Sequence, residues 1–418
     1  MAVPAPAAAH HGVFAELIAH EREWHYEGGR RDLRLDLMRG FAAFAMIADH
    51  IGGERSWLYP ITGGNDFFVS AAEAFVLISG AVMGIVYLHV LQKDGLPATL
   101  MKTLHRAKDL YIVAVLLTLA FAGVSAALDL PWRPVVGEGG VPRFVLDVLT
   151  LHRTFYLSDV LLLYTFLLVA SGLVILLLSQ GRAWQVLAAS WTIWALWQIS
   201  PESAQIPWTI EENVLFNIAA WQVLFVTGIV IGWHQRAIEA SVRSLPQALV
   251  LGVLAIATLA VGAMYVLQVT QMDALQSNGF LRSIVYEKPD VPAGRLAVCV
   301  VLGIVAFGLT TLFWQPIRRA TAWLLLPLGQ NALVAYSLHI FVVALTARLT
   351  LEIYGDDGPG KLYSTVLQAA GVLLIWALIV CEPRVREYFK TLLPNRGPTP
   401  FPAATDSRPA GGGSPERI

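Results

Sequence analysis

The chain has 418 residues, 56% hydrophobic and 14% charged, with a mean hydropathy of +0.60. Soluble domains carry about 25% charged residues, so the soluble classes are excluded and a polytopic membrane protein is indicated. A net charge of −1 argues against a nucleic-acid partner. Cys299 and Cys381 both lie in apolar runs, which predicts neither a disulfide nor a cysteine-based metal site.

Residues 1–34 are polar and hold Arg22, Arg30, Arg31 and Arg34. MAVPAPAAAHH has no apolar stretch after a basic start, so no signal peptide is expected. Gly12–Gly28 reads as a short amphipathic helix on the membrane surface. Apolar runs long enough to cross a bilayer, about 17–25 residues, follow at 35–52, 67–91, 109–128, 158–179, 184–200, 213–233, 247–270, 294–314, 324–350 and 363–382. The fifth carries Trp184, Trp191, Trp194 and Trp197 and also fits an interfacial helix. With the N-terminus inside, the inner loops and ends hold 19 Lys and Arg against 9 outside. The expected architecture is an all-α polytopic membrane bundle of about ten transmembrane helices with both termini cytoplasmic. It consists of an N-terminal segment, 1–34, a membrane domain, 35–383, and a tail, 384–418. The Pro/Gly/Ser-rich end of that tail, from Thr399, predicts disorder. No repeat of fixed period is present.

The first run, LDLMRGFAAFAMIADHI (35–51), carries Asp36, Arg39, Asp49 and His50. Charge inside a span is costly and marks function by default. Eleven helical steps separate Arg39 from His50, which returns them to within about 20° of one face, roughly 16 Å apart along the axis. The charge bias places Arg39 toward the cytoplasm and His50 toward the outside. Glu73 lies about two turns into the second run, at a depth like that of His50. A Glu73–His50 pair would fix the imidazole tautomer. At the outer start of the fourth run lie His152, Arg153, Asp159 and Tyr164, with Asp159 either a helix cap or a site residue. Asn213, Asn217 and Gln222 in the sixth run read as interhelical hydrogen-bonding groups. The ninth run holds Gln330, Asn331, Tyr336 and His339, and Gly329–Asn331 is a candidate helix break. The outer loops mix carboxylates with aromatics such as Trp57, Trp132, Tyr156 and Trp208. That mix suits either sugar binding or an interfacial aromatic belt. No HExxH, GxSxG or Gly-rich phosphate loop is present, so no metal site is expected and any chemistry belongs to the membrane domain. On these grounds acyl transfer and transport or flipping fit equally well.

RDLRLDLMRGFAAFAMIADHIGG (31–53), FFVSAAEAFVLISG (67–80), SDVLLLYTFLL (158–168), FNIAAWQVLFVTGIVIG (216–232) and LGQNALVAYSLH (328–339) together resemble the OpgC family, in matching order over about 31–383. That family is similar to the acyltransferase-3 group, whose first span carries an Arg/Lys-x10-His motif that Arg39 and His50 match. The group's Arg-x-x-Arg motif of the third span has no counterpart here. Arg31 and Arg34 have its spacing but precede the first run.

The resemblance implies a multi-pass O-acyltransferase of the bacterial inner membrane. It would take a succinyl group from cytoplasmic succinyl-CoA, a donor substrate rather than a resident cofactor, to a periplasmic glucan. In this reading His50 is the general base or a transient acyl carrier, and Arg39 faces the anionic donor. Glu73 and Asp49 orient the imidazole, and Asp159, Arg153, Asn331 and His339 contact substrate. Arg153 and Arg295 are the outer-side cations for the distal carboxylate of a succinyl group. The competing readings are a transporter or flippase, and a non-catalytic membrane partner of a glucan synthase. The sequence leaves the oligomeric state open.

Overall fold

The computed structural model describes residues 32–52, 56–64, 67–355 and 358–392. The expected surface helix at Gly12–Gly28 and the disordered end from Thr399 lie outside these residues. One compact unit runs to Ile379; of the second, from Val380, the described part is the end of the last helix. Apart from isolated bridges such as Arg153–Glu211, all regular structure among the described residues is helical.

The first helix, α1 (Leu33–Gly52), is enclosed by protein. Leu37, Ala43, Ile47 and Ala48 are buried, and so are Asp36 and Asp49. The second, α2 (Ala71–Ala127), has 57 residues and would be about 86 Å long if straight, far more than the ~30 Å apolar slab of a bilayer. Gly95 breaks it with φ 79°, ψ 172°, a backbone state open to glycine, and Pro97 follows. A short helix, α3 (Gly140–Leu149), leads to α4 (Asp159–Ser179) and α5 (Ala183–Ile199). Next come α6 (Ile218–Trp233) and α7 (Gln235–Ser244), bent by 70° at their junction, then α8 (Gln247–Ser277) and α9 (Ala293–Leu312). The chain ends in α10 (Trp314–Gln330), α11 (Ala332–Tyr354) and α12 (Lys361–Leu392). Asn331, with φ −114° and ψ 36°, divides α10 from α11. The ninth apolar run is therefore broken where Gly329–Asn331 suggested.

Among the described residues six helices are long and apolar enough to cross a membrane, or seven if the bent α6–α7 pair crosses as one. The difference from the ten runs of the sequence has identifiable causes. Asp36, Arg39 and Asp49 burden α1, while α5 and α6 have only 17 and 16 residues. The long α2 counts once although Gly95 divides it.

Small residues set the closest packing. A Cβ on Gly40 of α1 would lie 1.9 Å from the Leu325 carbonyl oxygen of α10, and one on Gly329 would lie 1.9 Å from that of Asp36. The α2–α6 seam repeats the device with one G-x-x-x-G on each helix. Gly80 and Gly84 lie against the Phe225 and Ile229 carbonyls, and Gly228 and Gly232 against those of Leu77 and Ala81. Between α5 and α6, Gln222 accepts from the Ser190 hydroxyl at 2.7 Å and donates to the Ser190 carbonyl at 2.8 Å, as expected of an interhelical amide.

Candidate functional site

The α1–α10 and α1–α11 packing brings His50 to His339. His50 Nδ1 is 3.1 Å from His339 Nε2, and the rings stack with centroids 5.3 Å apart. His339 is fully buried and its Nδ1 lies 2.5 Å from the Tyr336 carbonyl oxygen, one turn back on α11. A carbonyl only accepts, so His339 Nδ1 carries its proton there and Nε2 is the acceptor. His50 must then donate from Nδ1. Its Nε2 is left as a lone pair with no hydrogen-bond partner among the described residues, on a ring that is half-buried. Tyr336 packs its ring 4.9 Å from that of His339, and its hydroxyl donates to the Leu157 carbonyl just before α4.

Glu73 is placed otherwise than its position in the run suggested. It is paired with Arg295 of α9, Nε to Oε1 at 2.5 Å, with both side chains at most 2% exposed. Its Oε2 accepts from the Ser70 N–H at 2.8 Å and the Ser70 hydroxyl at 2.7 Å. The cause is local. The helix starts at Ala71 rather than Phe67, so Glu73 is the third residue of α2. A glutamate there folds back on the serine cap as a capping box. The partner that fixes the His50 ring is His339, and Arg295 is paired with Glu73.

Arg153 ties two loops together. It donates to Glu212 at 2.5 Å and to the Val135 carbonyl at 3.0 Å, and pairs with Glu211 at 3.4 Å. Asn331 is exposed, donates to the Pro327 carbonyl at 3.0 Å, and sits eight residues before His339, about 12 Å along the axis. Neither belongs to the histidine pair. Arg39 is half-buried on the unbroken α1, about 16 Å along the axis from His50. It lies within electrostatic reach of Tyr164, whose hydroxyl is 3.2 Å from that of Ser79.

Asp159 is buried at the first position of α4. One of its oxygens accepts from the neighbouring Val160 N–H at 2.9 Å. It sits within electrostatic reach of Tyr156, Tyr336 and Lys288. Lys288 was missed in the sequence, where KPD reads as an ordinary outer loop. The segment 284–292 is instead buried or half-buried. Trp194 and Trp197 of α5 donate to the Val291 carbonyl and the Asp290 carboxylate, and Asn217 reaches the Pro289 carbonyl at 3.4 Å. So held, Lys288 lies 5.9 Å from the Phe216 ring centroid and within electrostatic reach of His50, Asp49, Glu73 and Asp159. None of these carboxylates forms an ion pair with it. Burial pushes its ammonium below the ordinary lysine range, against the opposing pull of Glu73.

A cavity of about 1890 Å³, mostly apolar, is lined by residues of α1, α2, α6, α8 and α9. Arg34, Arg236 and Arg243 line it, as does Glu73, whereas His50 and His339 do not. Among the described residues no group of three or more His, Cys, Asp or Glu is disposed to hold a metal ion.

The resulting arrangement is an oriented imidazole with a lone pair, within electrostatic reach of an ammonium, near the end of α1. No curated protein matches the chain. No solved structure matches it either. The model of one family, described as the OpgC protein, matches residues 31–386, and with most of its length inside that match the chain belongs to the OpgC family.

Proposed function

We propose that the protein is a membrane O-acyltransferase with Nε2 of His50 as its general base. The observation that carries this reading is the relay from the Tyr336 carbonyl through His339 to His50, which leaves one lone pair oriented and available. In the reaction, His50 Nε2 takes the proton of an acceptor hydroxyl as its oxygen attacks a thioester carbonyl. The tetrahedral intermediate collapses, the C–S bond breaks, and the thiolate leaves with the proton from His50. While the imidazolium exists, its Nδ1–H points at the His339 acceptor. General-base help of this kind is worth about 10²–10⁴-fold.

Ten crossings with both ends inside would set Arg39 on the cytoplasmic side and His50 on the outer side. The donor is then a cytoplasmic acyl-CoA and the acceptor a periplasmic glycan, in the inner membrane of a bacterium. A succinyl donor asks for a cation at its distal carboxylate. With Arg153 and Arg295 already engaged, Lys288 fills that role.

The test is purified protein in detergent with radiolabelled succinyl-CoA and a glucan. Label on the glycan that is lost in His50→Ala, with the variant still folded, supports the reading. Wild-type transfer by that variant refutes it. Accumulation of label only inside sealed vesicles would mark a transporter, and neither result a scaffold.

A further inference from the structure

We infer that the stacked pair Trp132 and Tyr156 is the acceptor platform, a site that binds one pyranose ring of a glycan through its C–H face. This rests on the acyl-transfer reading for its place in a reaction, but its geometry is separate. The two rings lie 5.0 Å apart with an interplanar angle of 24°, and Tyr156 keeps 46% of its surface exposed. An exposed tyrosine whose ring is backed by an indole presents a rigid apolar face with a polar tip, at little cost in side-chain freedom.

The backbone fixes this presentation. Phe155 and Ser158, on either side, are 2% and 0% exposed, so the loop is anchored in the core and Tyr156 is held outward. Tyr156 itself has φ 22°, a conformation unusual for a tyrosine and tolerated where surrounding contacts impose it. A second stack borders the same loop, with His152 on Trp208 at 4.8 Å and 10°.

Position links the platform to the chemistry. Leu157, next to Tyr156, accepts the Tyr336 hydroxyl, and the Tyr336 carbonyl orients His339. Asp159 is within electrostatic reach of both Tyr156 and Tyr336. The chemical class follows from the flat ring face. A pyranose with all substituents equatorial, such as a β-linked glucose, shows an unbroken C–H face to an aromatic. An axial hydroxyl interrupts it.

The experiment reads binding in the absence of transfer. Full-length His50→Ala protein in detergent is titrated with a β-linked glucose tetrasaccharide by calorimetry. Tyr156→Ala in that background raises Kd about tenfold, the scale of one aromatic contact, while Tyr156→Phe stays within twofold and succinyl-CoA affinity is unchanged. Saturation-transfer NMR on the protein with Tyr156 intact covers the case of a misfolded variant. Saturation reaches the ring C–H protons of one sugar face. Absence of tetrasaccharide binding, an unchanged Kd in a folded Tyr156→Ala protein, or saturation without a face preference would each overturn the inference. An inactive protein that still binds the sugar through Tyr156 refutes the acyl-transfer reading alone. A transferase whose sugar affinity ignores Tyr156 refutes the platform alone.

Discussion

Replacing His339 by phenylalanine tests the histidine relay most directly. Phenylalanine keeps a ring in a fully buried position and in the stack with His50, so the change is mainly the loss of an acceptor 3.1 Å from His50 Nδ1. Without it the His50 proton can sit on either nitrogen, and the imidazolium formed during proton transfer has nothing to receive its Nδ1–H. Hydrogen bonds to charged groups are worth about 1.5–3 kcal/mol, which converts to a fall in kcat of roughly 10- to 150-fold. The donor KM stays near its wild-type value, because Arg39 is about 16 Å along α1. His339→Gln places an amide oxygen near the lost nitrogen and recovers part of the rate. The assay is initial-rate transfer from radiolabelled succinyl-CoA, with thermal unfolding as the control for folding. Groups that act as a unit are non-additive, so His50→Ala/His339→Phe should be about as slow as His50→Ala alone. A folded His339→Phe protein with wild-type kcat, or a double variant that shows the full product of both losses, refutes the relay.

Other expectations concern the neighbouring groups. Glu73→Gln strips the counter-ion from Arg295 in a site at most 2% exposed; breaking a buried pair costs about 3–5 kcal/mol, visible as a lower Tm that Glu73→Gln/Arg295→Met partly restores. Gly40→Leu or Gly329→Leu forces apart helices whose backbones leave 1.9 Å for a Cβ, so the folded yield in detergent should collapse, whereas Gly172→Leu, with nothing within 4 Å, should be neutral. Lys288→Gln should raise KM for succinyl-CoA about tenfold relative to butyryl-CoA, and equal KM ratios in variant and wild type would remove Lys288 from donor recognition. Because burial lowers the Lys288 pKa, its charge is present at lower pH and is lost, as pH rises, below the ordinary lysine value of about 10.4. The wild-type preference for the anionic donor should therefore decline over that alkaline range and be flat in Lys288→Gln, as kcat/KM ratios across pH will show.

Much of this protein follows from local sequence alone. Apolar runs and sparse charge determine a helical membrane architecture, because a backbone in lipid must satisfy its own hydrogen bonds. The eleven-residue step from Arg39 to His50 is a property of one unbroken helix. The break at Asn331 and the Gln222 contact were also legible, since each depends on nearby residues. The partner of His50 was not. Depth pointed to Glu73, and the outcome turned on where α2 begins. A start at Ala71 makes Glu73 a capping residue, and the close approach of Gly40 and Gly329 leaves His339 beside His50. The surroundings of Arg295 and Lys288 were not legible for a similar reason. Arg295 is drawn to the carboxylate buried opposite it, while a loop pinned by Trp194, Trp197 and Asn217 carries Lys288 inward. Sequence alone determines which segments are helices and which charges are costly. Which costly charges meet is decided by backbone separations and loop anchors hundreds of residues apart, and those exist only in the tertiary structure.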